Sequence, residues 1–329
     1  MKDDIIEVVL LLALPASGKS EVRRYLEHLD PEQCRERFHI GPTIQLDDYP
    51  YVHAMRLADE ALQELGEPRA FFAAADRGFV DPVDWETLIA LVEEDYEQIR
   101  SRRRIDAEDP GRWLADRIDV ARETVGAGPA LPEPGSGPRR AVEEALGEAA
   151  AELAEQLDRL ASEGLEGKTT VIEFARGGPQ GTAPPLPPHH GYAASLPRLS
   201  SELLERAAIL YIQVTPEQSR AKNRQRSRPG EDGSILFHGV PENVLRSEYG
   251  SDDIQWLIER SDLPDTVQVE ARGRVFRLPA AIMDNRGDLT TFLRGEPESW
   301  REESAAALGD ALAAAFRRLW RAHLAERAR

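Results

Sequence analysis

The sequence predicts an α/β fold in which helices cover a mainly parallel sheet. Two observations predict it. Short apolar runs typical of buried strands alternate with longer helical patterns, and the first run leads directly into a glycine-containing turn and a helix. Five runs are predicted as strands, at 7–12, 43–46, 169–174, 208–214 and about 280–283. Parallel sheets bind ligands beyond the carboxyl ends of their strands, so the residues after each run are the candidates for chemistry.

The composition is that of a globular protein with a substantial core. The 329 residues are 41% hydrophobic and 30% charged, and we expect one domain with a helical insertion. A formal net charge of −18 argues against a protein that coats nucleic acid or membranes, so an anionic substrate needs local basic patches. The single cysteine, Cys34, excludes an internal disulfide and a cysteine-based zinc site. No apolar run approaches a membrane span, so we expect a cytoplasmic protein, and the sequence leaves a homodimer open.

The first predicted strand runs into a phosphate-binding motif. The motif consists of Pro15, Ala16, Ser17, Gly18, Lys19 and Ser20. Such a turn points backbone N–H groups at a phosphate, and the positive end of the next helix, predicted over 21–29, faces the same anion. In the pattern GxxxxGK[ST] the lysine reaches the β and γ phosphates and the final hydroxyl coordinates Mg²⁺. Ala13 replaces the first glycine, so a methyl group must be tolerated there. The alternative is an ordinary strand-to-helix turn with this sequence.

Two aspartates, Asp47 and Asp48, directly follow the second predicted strand. Phosphoryl transfer to a hydroxyl needs an acceptor held in line, often with a carboxylate that takes its proton. Either aspartate could be this base, and the sequence does not distinguish them. The alternative is that they cap a turn or the following helix.

The third predicted strand carries Glu173 near its end and is followed by Arg176. A carboxylate beside the phosphate loop could hold Mg²⁺ or its waters, and Arg176 could hold an acceptor or a phosphate. A charge on an otherwise buried strand favours function for Glu173 over a structural ion pair.

A basic helix is predicted after the fourth strand. Thr215-Pro216-Glu217 is a good helix start. The cations that follow it are Arg220, Lys222, Arg224, Arg226 and Arg228. We expect a lid near 216–230 whose arginines, Arg220 and Arg224 above all, close on the transferring phosphates. The alternative is a solvated basic face paired with acidic neighbours.

The turn after the fifth strand contains Asn285 and Gly287. Its exposed backbone groups would suit the edge of an adenine base.

The remaining segments predict how the chain is divided into a core, an insertion and connecting loops. Residues 82–164 form the predicted helical insertion, which we expect to be an acceptor or partner region, and 1–81 with 165–329 form the predicted core. The Pro/Gly-rich stretch 177–191 is either a mobile loop over the site or a disordered surface loop. A final helix over 298–327 is expected to pack against the sheet or a partner.

In their order, these features resemble the P-loop kinase group that includes uridine kinase, deoxynucleoside kinases and dephospho-coenzyme A kinase. Pro15 and Ser17-Gly18-Lys19-Ser20 resemble the phosphate loop of that group, although Ala16 stands where many of its members carry glycine. Asp47-Asp48-Tyr49 is similar to its acidic segment after strand two. Residues 173–176 are similar to its Glu-Arg-Ser or Asp-Arg element, 220–228 to its lid and 284–289 to its adenine-side turn. The resemblance implies a three-layer P-loop NTPase fold with a five-stranded parallel sheet of order 2-3-1-4-5, and the cofactors ATP and Mg²⁺. It does not account for the insertion.

The leading hypothesis is an ATP-dependent phosphotransferase acting on a hydroxyl of a small molecule, with nucleosides and nucleotides among the candidate acceptors. Lys19 would bind phosphates, Ser20 and Glu173 would organise Mg²⁺, and the lid arginines would stabilise transferred charge. The alternative is a nucleotide-dependent switch or slow NTPase that acts through a protein partner, which the large insertion favours. A toxin-like kinase of a nucleotide sugar would share the same core.

Overall fold

The computed structural model describes residues 5–226 and 239–327, without the side chain of Arg226. Residues 227–230 of the predicted lid, Arg228 among them, lie outside the described residues. The chain forms two compact units. The first, called the sheet unit here, comprises the described residues up to 45, those from 167 to 187, and those from 191 on. The second, the helical unit, comprises 46–166 and 188–190.

The described residues form one six-stranded mixed sheet. Its strands are β1 (Val8–Leu12), β2 (Thr43–Asp47), β3 (Thr169–Phe174), β4 (Ala207–Gln213), β5 (Thr266–Ala271) and β6 (Arg274–Asp284). Their order is β2-β3-β1-β4-β6-β5. β1 pairs parallel with β3 and with β4, β4 pairs parallel with β6, and β5 pairs antiparallel with β6. All five residues of β1 are buried, as expected for a central strand.

The α/β class is confirmed, but the predicted five-stranded order 2-3-1-4-5 is wrong. The sheet has a sixth strand, β5, which precedes the last parallel strand in the chain and lies at the edge. β5 and β6 form a hairpin whose two-residue turn, Arg272-Gly273, has φ of 50° and 71°. Positive φ at both turn residues suits the twist of such a hairpin. The sheet is therefore mixed.

Eight helices belong to the described part of the sheet unit. They are α1 (Lys19–His28), α2 (Pro31–Phe38), α7 (Gly191–Ser195), α8 (Ser201–Arg206), α9 (Pro216–Arg226), α10 (Glu242–Glu248), α11 (Ile254–Arg260) and α12 (Glu302–Arg327). Buried residues of β1 and β4, such as Leu11 and Leu210, share one apolar cluster with α1, α2 and α12. Within that cluster the Phe38 and Phe316 rings lie 5.6 Å apart. The last helix thus packs on the sheet through its apolar stripe.

The helical unit consists of four α-helices around a mainly apolar interior that also contains buried ion pairs. They are α3 (Tyr49–Glu64), α4 (Asp84–Arg100), α5 (Pro110–Thr124) and α6 (Gly137–Glu163). This unit contains the predicted insertion and also α3. Buried arginines of α5 and α6 pair with carboxylates across the bundle, as in Arg117 with Asp95 at 3.0 Å. Arg139, almost wholly buried, contacts Asp119 at 2.6 Å. Pairing is what makes the burial of these charges tolerable.

The membrane prediction agrees with the structure in one respect. In the ranges described above, the helices are too short or too polar to cross a bilayer.

Candidate functional site

The phosphate-loop motif forms a tight, buried connection between β1 and α1. Gly18 is the residue before the helix and has a φ of 105°, in the left-handed region. A Cβ on Gly18 would lie 2.4 Å from Thr290 Oγ1 and 2.9 Å from Asn285 Nδ2. Ala16 also has a positive φ, 53°, although it is not glycine, at a cost of about 1–2 kcal/mol. The loop therefore accepts strain at one position and requires glycine at another.

Three side chains from distant segments hold the backbone carbonyls of this loop. The Tyr192 hydroxyl donates to the carbonyl of Ala13 at 3.2 Å. Ser219 Oγ donates to the carbonyl of Pro15 at 2.7 Å, and Asn285 Nδ2 donates to that of Ser17 at 2.7 Å. We call these three hydrogen bonds the carbonyl clasp. Because they engage the carbonyls of alternate residues, they fix the orientation of the peptide groups along the loop.

The start of α1 has the character of an anion site. The first N–H groups of a helix have no partner within it, and Gly18 supplies no side-chain cap. Ser17 is 1% exposed, and its Oγ has no hydrogen-bond partner among the residues that the structure describes. Ser20, in the first turn, is also buried. A buried hydroxyl without a partner beside an uncapped helix start is chemically suited to a polar ligand.

Glu173 lies beside the loop, where the sequence predicted it. It is opposite Leu11 in the parallel β1–β3 register, two residues before Ala13. Its carboxylate is 3.9 Å from Lys19 Nζ and 3.2 Å from Arg23 Nη1. Lys19 and Arg23 are one helical turn apart on α1, so both reach the same carboxylate. The structure thus brings together two cations and one acid at the loop.

Arg176 is buried two residues after β3. Its backbone N–H donates to the Tyr192 hydroxyl at 3.3 Å, and its guanidinium lies over the Phe174 ring at 5.2 Å from the centroid. Tyr192 is the second residue of α7, and its N–H and that of Ala193 donate to Asp253 at 2.7 and 2.9 Å. Burial raises the pKa of Asp253, and these two hydrogen bonds act in the opposite direction. Asp253 therefore positions the tyrosine of the carbonyl clasp.

The predicted lid helix is α9, and its start contacts the loop through Ser219. Arg220, next to it, is 7% exposed and pairs with Glu217 at 2.9 Å. Its Nη1 has no hydrogen-bond partner in the described ranges. Arg224 is exposed and pairs with Glu242 at 3.3 Å. Of the two predicted lid arginines, Arg220 is thus the one buried beside the clasp residue.

The turn at Asn285 supports the loop directly. Asn285 is fully buried, and besides the Ser17 contact its Nδ2 donates to Thr290 Oγ1 at 2.9 Å while its Oδ1 accepts from the Leu289 N–H at 2.7 Å. Gly287 is exposed, with open space around it. The contact of this turn with adenine stays a prediction, and the geometry gives the Asn285 side chain a positioning role.

Asp47 and Asp48 belong to the helical unit. Asp47 ends β2, and its carboxylate accepts from the Tyr49 N–H at 2.9 Å. Asp48 is the residue before α3, and its side chain makes no capping hydrogen bond to that helix, whereas its carbonyl accepts from the Val52 N–H at 3.1 Å. The role of either aspartate as a base stays a prediction.

Sequence reasoning missed Arg23, Tyr192, Ser219 and Asp253. Arg23 had a signal, since it follows Lys19 by four residues on a predicted helix. Ser219 had a weaker one, its place in the first turns of a helix that starts after a strand. Tyr192 and Asp253 had none, because only the tertiary fold brings them to the loop.

The described residues contain no group of three or more His, Cys, Asp or Glu side chains suited to a metal ion. No protein-family model matches the chain, and comparisons with curated proteins and with solved structures also give no match. Function must therefore be argued from the site itself.

Proposed function

We propose that this chain binds ATP at residues 13–20 and transfers its γ-phosphoryl group to a hydroxyl of a small molecule, on a core of the P-loop NTPase type. The observation that carries the proposal is the carbonyl clasp. The three side chains bind the backbone carbonyls of residues 13, 15 and 17. With these carbonyls engaged by the protein, the N–H groups of the loop are left to donate hydrogen bonds to an anion.

Several residues add to phosphate binding. Lys19, at the first position of α1, supplies a positive charge next to the uncapped helix start. The Ser17 hydroxyl supplies a buried donor whose cost of burial a phosphate oxygen would offset. Arg220 supplies a second buried donor on the helix that contacts Pro15. Together they favour a ligand with several negatively charged oxygens.

The residues present fit a magnesium ion. Mg²⁺ is commonly held by one or two protein oxygens together with substrate phosphates, so a cluster of three acids is not needed. Ser20 and Glu173 would supply those oxygens. When bound, the ion would offset negative charge on the phosphates.

The residues of the chain would then act by binding and orienting. Lys19, released from Glu173, would hold the β and γ phosphates, and Arg220 would face the charge that develops on transfer. Asp47 or Asp48 would orient the acceptor hydroxyl and take its proton, and Arg176 would hold the acceptor or a phosphate.

Calorimetric titration of the full-length chain with ATP in the presence of Mg²⁺ tests the first step. Lys19→Ala should weaken binding by about ten- to a hundredfold, because a charge-assisted contact is lost. Lys168→Ala, at the start of β3, is the matched control and should bind as the parent does. Unchanged affinity in Lys19→Ala would contradict the proposal.

A screen of nucleosides, nucleotides, sugars and other alcohols tests the second step. ADP release that depends on one class of acceptor supports phosphoryl transfer. Hydrolysis that responds only to a protein partner would favour a nucleotide switch instead.

A further inference from the structure

A second cationic site lies on α12, built from residues that the phosphate loop does not use. It is a groove of about 420 Å³ lined by His39, Ala314, Arg317, Arg318, Trp320 and Arg321. We call it the arginine groove. Its three arginines fall within five residues of a chain whose net charge is −18. Local charge here is therefore opposite to that of the whole molecule.

The three arginines of the groove make no ion pairs with acidic side chains among the described residues. All three are exposed, and none has a carboxylate within ion-pair distance among the residues that the structure describes. Other arginines of the chain, such as Arg117 and Arg139, are instead paired with acids. The helix dipole does not account for them either, because that effect is confined to the last turn and α12 continues to Arg327.

The aromatic wall of the groove consists of stacked rings. The His39 ring stacks on Trp320 with centroids 4.4 Å apart and planes within 9°. His323 stacks on the same indole at 5.4 Å and 22°. His39 also ends α2 in the left-handed region, with a φ of 54°, a conformation usually taken by glycine. The wall thus connects the end of α2 to α12 through ring stacking.

The same stacking decides which ligand fits. An indole that already stacks with two imidazoles has less ring surface left for the stacked bases by which single-stranded nucleic acid is bound. Recognition is left to three guanidinium groups, whose planar donor forks match phosphate oxygens. A volume of about 420 Å³ is that of a small-molecule site.

We propose that the arginine groove binds a small molecule that carries a diphosphate or two phosphate groups. This site is separate from the phosphate loop and does not rest on the function proposed for that loop.

Inorganic pyrophosphate is the probe, titrated calorimetrically into the full-length chain at low ionic strength. The Lys19→Ala variant should retain one pyrophosphate site. Adding Arg317→Ala and Arg321→Ala should weaken that site at least tenfold, since two charge-assisted contacts are lost. Binding should also weaken as salt is added.

Arg104→Ala with Arg159→Ala is the matched control, because both arginines are exposed and lie in the helical unit. This pair should leave pyrophosphate binding unchanged. Circular dichroism and thermal unfolding check that each variant is folded. Two results would overturn the proposal: equal affinity with and without Arg317 and Arg321, or tighter binding of a single-stranded oligonucleotide than of pyrophosphate at this groove.

In the otherwise unaltered chain, Arg317→Ala with Arg321→Ala provides the converse experiment. Loss of one of two pyrophosphate sites supports both the groove and the loop. Loss of the one site present supports the groove and counts against the loop, so the two proposals can fail separately.

Discussion

Gly18 is the residue on which the geometry of the phosphate loop depends most directly. Its φ of 105° favours glycine, and its missing side chain makes room for Thr290 and Asn285. Asn285 in turn donates to the Ser17 carbonyl, so one buried amide holds the loop that packs against it. Backbone conformation, packing and hydrogen bonding thus converge on one position.

Gly18→Ala should therefore destabilise the fold and abolish ATP binding. A left-handed alanine costs of order 1–3 kcal/mol, and the displaced Asn285 amide would leave the Ser17 carbonyl unsatisfied. Gly66→Ala is a matched control, because Gly66 also has a positive φ, 75°, but open space around it. Urea unfolding of both variants separates two effects: Gly66→Ala reports the cost of the backbone conformation alone, and Gly18→Ala adds the steric clash with Thr290 and Asn285. Equal losses of unfolding free energy would contradict the role given to the contacts of Gly18.

Residue patterns were informative wherever the signal was local. The motif at 15–20, the strand before it and the acid at position 173 could all be found because neighbours in the chain define them. Asn285 was also singled out, but for a different reason: the sequence suggested a turn open to adenine, whereas the side chain is buried against Ser17. Tyr192 and Ser219 could not be identified, since their hydrogen-bond acceptors lie 179 and 204 positions away in the chain and only folding brings them close.

At the scale of elements, the parallel strands were predictable and the edge hairpin was missed. Continuous apolar runs mark strands buried on both faces. β5 alternates instead, with Gln268 and Glu270 between buried residues, and it is joined to β6 through Gly273. Alternating polar and apolar residues followed by a turn with glycine are typical of a hairpin, so β5 could have been predicted from the sequence.

The buried start of α4 allows a prediction about pH. Burial raises the pKa of Asp84 to about 6, although an ion pair with Arg122 and a hydrogen bond from Thr87 Oγ1 act in the opposite direction, and Asp81 nearby adds to the rise. The unfolded value is about 4. Between these values the folded state binds a proton that the unfolded state lacks, so stability falls as pH rises from about 4 to about 6.

Asp84→Asn should lose this dependence. We compare the free energy of unfolding of the parent with that of the variant at each pH. The parent value minus the variant value should fall by about 3 kcal/mol as the pH rises through the interval set by the two pKa values, from about 4 to about 6, and should stay constant at higher pH. Urea unfolding at pH 4.5 and pH 7.5 should show about 2 kcal/mol of this change, because pH 4.5 lies above the unfolded pKa. Asp106→Asn, at an exposed position outside α4, controls for the loss of one acidic group. If the free energy of unfolding of the parent minus that of Asp84→Asn increased with pH, the predicted direction of the pH dependence would be wrong.

At the scale of the whole molecule, the chain divides into a sheet unit with the phosphate loop and a helical unit with Asp47 and Asp48. The proposed function assigns the nucleotide to the first and acceptor chemistry to residues of the second. A ligand that binds the folded state stabilises the amides it covers against exchange with solvent. Each ligand should therefore have its own footprint along the chain.

Hydrogen exchange of the full-length protein can resolve these footprints. ATP with Mg²⁺ should slow exchange in residues 13–23 and 285–290, where the loop and its Asn285 support lie, and Lys19→Ala should remove that protection at the same ligand concentration. An acceptor found by the screen should add protection at 46–52, whereas Lys168→Ala should change neither pattern. Protection by ATP that leaves 13–23 unaffected would contradict the nucleotide site. If ATP protects 13–23 but no acceptor affects 46–52, the nucleotide site is supported and the proposed role of Asp47 and Asp48 is contradicted. A base must contact the hydroxyl that it deprotonates, so an acceptor bound there should protect these residues.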